Sequence, residues 1–129
     1  MTESAGDLID RGLEEQEAGN WFDALVLYQR AAELDPGSWV AWYDAGLIHK
    51  WTRAWKDALP CFRRALDAAI EREVEADDVA PIAWNLGMAA TATGTWPEAF
   101  RAWRALQMPI ETDEEGRPRL RIGATPIRL

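Results

Sequence analysis

A spacing that occurs three times constrains this chain more than any other feature of its sequence. Three glycines, three tryptophans and three alanines are each separated by 34 and then 41 residues. These residues are Gly12, Gly46 and Gly87, then Trp21, Trp55 and Trp96, then Ala24, Ala58 and Ala99. Because a fixed period marks stacked copies of one small unit, the sequence predicts three copies, with extra residues inserted between the second and third.

Each copy is predicted to form two helices, because its apolar residues recur three and four positions apart. Leu25, Tyr28 and Ala32 are one such set, with the period of an amphipathic helix. Pro60 should bend the fourth helix locally without ending it. The six expected helices lie near residues 5–19, 20–35, 39–52, 55–75, 79–93 and 96–107.

Capping residues mark several of the expected helix starts. Ser4 with Asp7, and Thr95 with Glu98, have the spacing of a capping box, in which two side chains satisfy free backbone N–H groups reciprocally. Residues 35–38, Asp-Pro-Gly-Ser, are predicted to end one helix and cap the next.

The repeated residues resemble the tetratricopeptide repeat (TPR), whose pattern is W-x2-L-G-x2-Y, then A-x3-F, then P. His49 and Ala90 depart from it at the Tyr position. Over residues 5–109 the resemblance implies an all-α superhelix of three helical hairpins in a domain 1–109, with repeats near 5–38, 39–72 and 80–109. The matching residues are Gly12, Ala24, Tyr28 and Pro36; Trp42, Gly46, Ala58 and Phe62; and Gly87, Ala99 and Trp103.

The small residues also predict how each hairpin packs. We expect each repeated glycine to face the repeated alanine of the partner helix, since small residues let two helices approach closely. The aromatic residue four positions after each alanine is then expected to pack against the neighbouring repeat. One hairpin cannot bury its apolar face alone, so about three stacked copies are needed for stability.

The resemblance implies a binding surface, because in TPR proteins the first helix of each repeat lines a concave groove. Counting positions onto this chain gives an aromatic, apolar surface with a few polar groups. The alternative is that the chain's own tail covers several of these residues. The implied contacts are Ile9, Leu13, Tyr43, Asp44, Leu47, Lys50, Trp51, Trp84, Asn85 and Met88.

One subgroup of TPR proteins holds a partner's C-terminal carboxylate with Lys, Arg and Asn side chains. The matching positions here are Ile9, Leu13, Asp44, Pro81 and Asn85. None is positively charged, and Asp44 would repel a carboxylate, so we expect no carboxylate clamp.

The expected function is protein–protein interaction, as an adaptor or scaffold that binds a peptide or helix of a partner. Three alternatives stay open: a module for homo-oligomerisation through the tail or last repeat, an N-terminal accessory domain of a larger protein, and a small secretion-type chaperone.

Composition excludes several other classes. Asp and Glu number 22 against 14 Lys and Arg, a formal net charge of −8, which disfavours nucleic acid as a partner. No run approaches the ~20 apolar residues of a membrane span. One cysteine cannot form an internal disulfide, and the acidic N-terminus lacks a signal-peptide pattern, so we expect a cytoplasmic protein. Abundant Ala and Arg fit a bacterial source.

Catalysis, metals and cofactors are not expected. His49 and Cys61 are the only residues of their types, too few for a zinc site or a His-based nucleophilic set. There is no glycine-rich phosphate loop, and residues 113–116 lack calcium-loop spacing.

Two segments fall outside the repeat pattern. The acidic residues 71–78 are expected to extend the fourth helix with a solvated face, with an acidic recognition segment as the alternative. Residues 110–129 are expected to form an extended tail or the start of a truncated segment. Alternation around residues 119–122 and the Glu114–Gly116 turn favour a short hairpin over 110–122, and we expect the tail to dock against protein, either this chain or a partner.

Overall fold

The computed structural model describes residues 3–107 and the backbone of residues 110–120, with side chains for residues 112–117 of that second stretch. Within these residues six helices are followed by two short strands, as the sequence predicted. The helices are α1 (Ala5–Glu17), α2 (Trp21–Leu34), α3 (Trp39–Trp51), α4 (Trp55–Glu71), α5 (Ala76–Thr93) and α6 (Trp96–Ala105); the strands are β1 (Ile110–Thr112) and β2 (Pro118–Leu120).

The helices stack in chain order. α1 packs on α2, α3 on α4, and α5 on α6, which gives three hairpins, while α2–α3 and α4–α5 contacts join successive hairpins. The first helices of the first two hairpins also touch, since α1 contacts α3 directly. The predicted stack of three hairpins is therefore confirmed. Its largest fully buried side chains are Tyr28, Phe62, Leu8, Ile48, Leu66, Ile82 and Leu86.

Each repeated glycine lies against an aromatic ring of the partner helix, a contact that the sequence analysis did not predict. A Cβ placed on any of the three glycines would stand within 3.0 Å of that ring, closer than real Cβ atoms approach. The missing side chain leaves a notch that the aromatic ring fills. The three pairs are Gly12 with Tyr28, Gly46 with Phe62, and Gly87 with Trp103.

The aromatic ring also reaches the next repeat, as the sequence analysis predicted. Ala24 and Tyr28 of α2, both fully buried, belong to one cluster with Ala45 and Ile48 of α3. The repeated alanine and the aromatic residue therefore both pack between repeats, and the same ring fills the notch at the glycine within its own hairpin.

One of the two expected capping boxes forms. The Ser4 hydroxyl accepts from the backbone N–H of Asp7 at 3.1 Å, and the Asp7 carboxylate accepts from the backbone N–H of Ser4 at 3.0 Å. The prediction for Thr95 and Glu98 was wrong, because Glu98 accepts instead from Arg63 on α4 at 2.7 Å. An interaction between repeats has replaced the local one.

The inserted residues lengthen two helices rather than one. α4 has 17 residues where α2 has 14, and α5 begins four residues before Ala80, the counterpart of Trp39. The predicted extension of α4 to residue 75 was wrong, since the chain turns at Glu73 with a φ of 54°. Arg72, in this turn, donates to Asp35 in the corresponding earlier turn at 2.9 Å.

Pro60 lies inside α4 and does not end the helix, as expected. Pro81 lies in the second turn of α5, because that helix begins at Ala76 and not at the predicted residue 79.

The second segment forms the expected hairpin over residues 110–120. β1 and β2 are antiparallel, with Ile110 opposite Leu120, and both contact α6. The turn is held by Asp113, whose Oδ1 accepts from the backbone N–H groups of Glu115 and Arg117 at 3.0 and 2.8 Å. The rest of the expected tail, residues 121–129, lies outside the described residues. The division into a domain 1–109 and a tail stays a prediction.

Candidate functional site

One stripe of α3 lies outside the faces that pack against α1, α2 and α4. Ala41, Ala45 and Ile48 pack with residues of α1 and α2, and Gly46 lies against α4. The 3.6-residue period then places positions 40, 44, 47 and 51 on the remaining side. This stripe consists of Val40, Asp44 and Leu47, all half-buried, and Trp51, which is 42% exposed.

The corresponding stripe of α5 carries the second exposed aromatic residue. Gly87 faces α6, and Asn85 faces α3. Positions 84, 88 and 91 share the side that remains. Trp84 is 49% exposed, Met88 is half-buried and Thr91 is exposed.

The predicted residues of α1 divide between packing and surface. Ile9 is half-buried and packs against the clusters formed with α2 and α3, whereas Leu13 is exposed. We call the surface formed by Leu13, the α3 stripe and the α5 stripe the first-helix face.

A polar link joins α3 to α5 beside this face. Lys50 Nζ donates to Asn85 Oδ1 at 2.8 Å, and Asn85 Nδ2 donates to the Tyr43 hydroxyl at 3.1 Å and to the Pro81 carbonyl at 2.9 Å. Asn85 is only 6% exposed. Both ends of its amide are satisfied, as a buried amide requires. The Tyr43 ring also packs 5.9 Å from Phe62, so Tyr43 contributes to the core as well as to the surface.

The two exposed indoles of the first-helix face each pack against another indole. The ring centroids of Trp51 and Trp21 are 5.6 Å apart, and those of Trp84 and Trp103 are also 5.6 Å apart. Tilted and edge-to-face pairs of this kind are favourable. Trp51 and Trp84 therefore stand partly in solvent on a fixed base, which lowers the entropic cost of using them in binding.

Asp44 is the titratable group most affected by its surroundings on this face. Burial raises the pKa of the Asp44 carboxyl to about 6. Burial is the main cause that raises the pKa of the Tyr28 hydroxyl, and the negative charges of Asp44 and Glu17 raise this pKa further. The Tyr28 hydroxyl donates to Gln16 Oε1 at 2.7 Å. Acidic groups of α1 and α3 thus both act on this one hydroxyl.

The structure joins some predicted residues directly and leaves others apart. Tyr43, Lys50 and Asn85 form one hydrogen-bonded link, and Asp44, Leu47 and Trp51 share a stripe. Ile9 belongs mainly to the core. Sequence reasoning missed Val40 and Glu17 as members or neighbours of the face, and Trp21 as the support of Trp51. The spacing of 40, 44, 47 and 51 could have identified Val40.

The single cysteine and the acidic residues were considered as possible reactive or metal-binding groups. Burial is the main cause that raises the pKa of the Cys61 thiol to about 11, which keeps it protonated and weakly nucleophilic. Across residues 3–107 and 110–120, no three His, Cys, Asp or Glu side chains are grouped to hold a metal ion. None of the described helices has the length and apolar character needed to cross a bilayer.

No protein-family model and no curated protein sequence matches the chain. Solved structures do. The N-terminal domain of stress-induced protein-1 (STI-1) from C. elegans is 18% identical, with a TM-score of 0.70 over 80% of this chain and 82% of that one. YrrB, a TPR protein with an unusual peptide-binding site, is 23% identical, with a TM-score of 0.62 over 81% of this chain and 52% of its own. This chain therefore has the all-α superhelical fold of TPR proteins, and it spans about half the length of YrrB.

Proposed function

We propose that this chain is a protein–protein interaction module that binds a peptide or helical segment on its first-helix face, which forms a concave groove. The main support for this proposal is the pair of half-exposed indoles, Trp51 and Trp84, each of which packs against a second indole. Aromatic residues on a rigid surface are typical of binding hot spots. The peptide-binding site named for YrrB supports the same use of this fold.

The groove residues divide by role in this proposal. Trp51, Trp84, Met88 and Leu47 supply apolar contact area, and the thioether of Met88 adapts to the shape of a partner. Leu13 extends the apolar surface onto α1. Lys50 and Asn85 hold α3 and α5 at a fixed separation and leave polar groups at the groove edge.

The proposal excludes a carboxylate clamp. The five positions that would form one are Ile9, Leu13, Asp44, Pro81 and Asn85; they carry no positive charge, and Ile9 is packed into the core. A capped internal segment of a partner is therefore expected to bind as well as a free C-terminus.

Catalysis has no part in the proposal. The single His, the protonated Cys61 thiol and the fold itself support binding alone. A cytoplasmic location is proposed on the single cysteine, which cannot form an internal disulfide.

Affinity capture with matched variants tests the function. Wild-type protein, Trp84→Ala and Phe22→Ser are immobilised at equal folded concentrations and exposed to a library of capped peptides. Phe22 is 83% exposed on α2, outside the first-helix face, so Phe22→Ser is the control for loss of an exposed aromatic residue. We expect wild type and Phe22→Ser to retain the same peptides and Trp84→Ala to lose them. Equal retention by all three would place binding elsewhere.

Self-association is the second candidate, and one observation favours it. Phe22 and Val26, one helical turn apart on α2, are 83% and 52% exposed. Sedimentation velocity of wild type and Phe22→Ser at two concentrations separates the candidates: a concentration-dependent dimer lost in Phe22→Ser supports association through α2, and a monomer at both concentrations excludes it.

A further inference from the structure

We infer that the occupant of the first-helix face is a segment of a partner protein with a Lys or Arg side chain, which pairs with Asp44 next to apolar residues that meet Trp51 and Trp84. This inference rests on the proposed function and specifies the chemistry of the partner. It is argued from charge complementarity along the face.

Asp44 is a carboxylate that has no cationic partner among the described residues. It stands half-buried on the α3 stripe, and among the described residues it forms no ion pair and no hydrogen bond. Carboxylates taken partly out of water are normally paired. A basic side chain of a partner would supply the missing charge and recover part of the desolvation cost.

The neighbouring charge on α1 has the same sign. Glu17 and Asp44 both act electrostatically on the Tyr28 hydroxyl, so both contribute negative charge around it. No ion pair between described residues involves Glu17. A second carboxylate near the first increases attraction for a cation and repels an acidic partner.

The one basic residue predicted for the face lies on its other side. Lys50 points to α5, where Asn85 Oδ1 accepts its hydrogen bond at 2.8 Å. Lys50 is therefore directed away from the α1–α3 end. Negative charge on the face comes from Asp44 on α3, and Glu17 on α1 adds to it, while the α5 side is apolar at Trp84 and Met88. This predicts a bound segment with a basic residue and neighbouring apolar residues.

The whole chain reinforces this preference. Its formal net charge of −8 attracts positively charged segments from a distance and speeds their encounter at low salt. Steering of this kind acts on any basic segment, so specificity must come from the local pair with Asp44.

The test compares capped synthetic peptides about 12 residues long. All share a Leu, Ala and Ser background, and one central position is Lys, Arg, Gln or Glu. Binding of the full chain is measured by fluorescence anisotropy. Asp44→Asn removes the proposed partner charge. Asp23→Asn changes net charge equally at an exposed site on α2, and it is the matched control.

We expect wild type and Asp23→Asn to bind the best Lys or Arg peptide about tenfold more tightly than its Glu counterpart. Asp44→Asn is expected to reduce that ratio to about twofold, while the Gln peptide binds all three proteins equally. Peptides that bind without a basic preference, or an unchanged ratio in Asp44→Asn, would overturn this inference and leave the proposed function standing.

Two other results would overturn it differently. If neither wild type nor the full-length Arg121→Gln/Arg128→Gln variant binds any peptide in the set, the proposed function fails as well. The chain's own residues 121–129 include Arg121 and Arg128 and are the competing occupant. If the full-length Arg121→Gln/Arg128→Gln variant binds the Lys peptide and wild type does not, the occupant is this chain's own end and not a partner.

Discussion

The Lys50 ammonium on α3 donates a 2.8 Å hydrogen bond to Asn85 Oδ1 on α5, 35 residues further along the chain. The same amide donates to the Tyr43 hydroxyl and to the Pro81 carbonyl. Asn85 is a buried polar side chain between two repeats, and its satisfied bonds fix their spacing where the partner is proposed to lie.

Removing this amide should cost stability as well as binding. Asn85→Ala leaves the Tyr43 hydroxyl and Lys50 without their partner, and we expect a loss of about 1–3 kcal/mol in the free energy of unfolding. Tyr43→Phe removes only one hydrogen bond and keeps the ring against Phe62, so about 0.5–1.5 kcal/mol is expected. Urea unfolding measures both. An Asn85→Ala protein as stable as wild type would show that these hydrogen bonds do not stabilise the fold.

The glycine–aromatic contacts give a sharper prediction. In Gly46→Ala the new methyl group would stand within 3.0 Å of the Phe62 ring, so either the ring or the helix must shift. Overpacking of this kind costs about 1–3 kcal/mol, measured by chemical denaturation. Combining Gly46→Ala with Phe62→Leu should recover part of the penalty added by the methyl group.

Gly6→Ala is the matched control for the same change. Gly6 is exposed in α1, and the nearest atom to an added Cβ is Ser4 Oγ at 3.7 Å. Alanine is the better helix former there, so stability should hold or rise by up to about 1 kcal/mol. A Gly46→Ala protein that behaves like Gly6→Ala would contradict the role of the notch.

Asp44 should make stability depend on pH in the direction opposite to that of most carboxyl groups. Its pKa of about 6 in the fold lies above the ordinary Asp value of 3.8, so between these values the folded state binds more protons than the unfolded state. The contribution of Asp44 is then most favourable below pH ~4 and is lost as pH rises through about 6. Glu17 and Tyr28 lie nearby, and Tyr43 is its neighbour in sequence; both tyrosines stay neutral over this range.

The Asp44→Asn substitution removes this loss of stability at higher pH, because asparagine carries no titratable carboxyl group. At pH 7 the variant should be more stable than wild type by an amount on the order of 1–3 kcal/mol, and the difference should shrink toward pH 4. Thermal unfolding at several pH values measures it, with Asp23→Asn as the control that shows no such trend. An Asp44→Asn variant less stable than wild type at pH 7 would mean that the carboxylate has a favourable partner.

The repeat period was enough to predict the fold, because three residue types share one pair of separations. It was not enough to assign partners. The contacts of Gly12, Gly46 and Gly87 with aromatic rings were not predicted, because spacing alone does not show which small residue leaves room for a ring. Glu98 was placed in a cap because its bond to Arg63 joins residues 35 apart, and local patterns cannot reveal it.

The candidate face was accessible from sequence only through the resemblance. Counting positions identified Asp44, Leu47, Trp51 and Trp84, which the helical period also places on open stripes. It could not show that Ile9 would pack inward, or that Asn85 would bridge two repeats. Those outcomes depend on how α1, α3 and α5 are spaced, which the sequence pattern does not give.

The most direct test of the binding face is an NMR titration of the indole N–H signals of the 8 tryptophans with the tightest-binding peptide. Trp42 serves as the internal reference, because its indole donates to the Pro36 carbonyl at 2.9 Å and Arg64 lies over its ring. We predict that the Trp51 and Trp84 signals shift with a common dissociation constant while the Trp42 signal stays in place. Shifts at Trp42 with none at Trp51 or Trp84 would contradict the account.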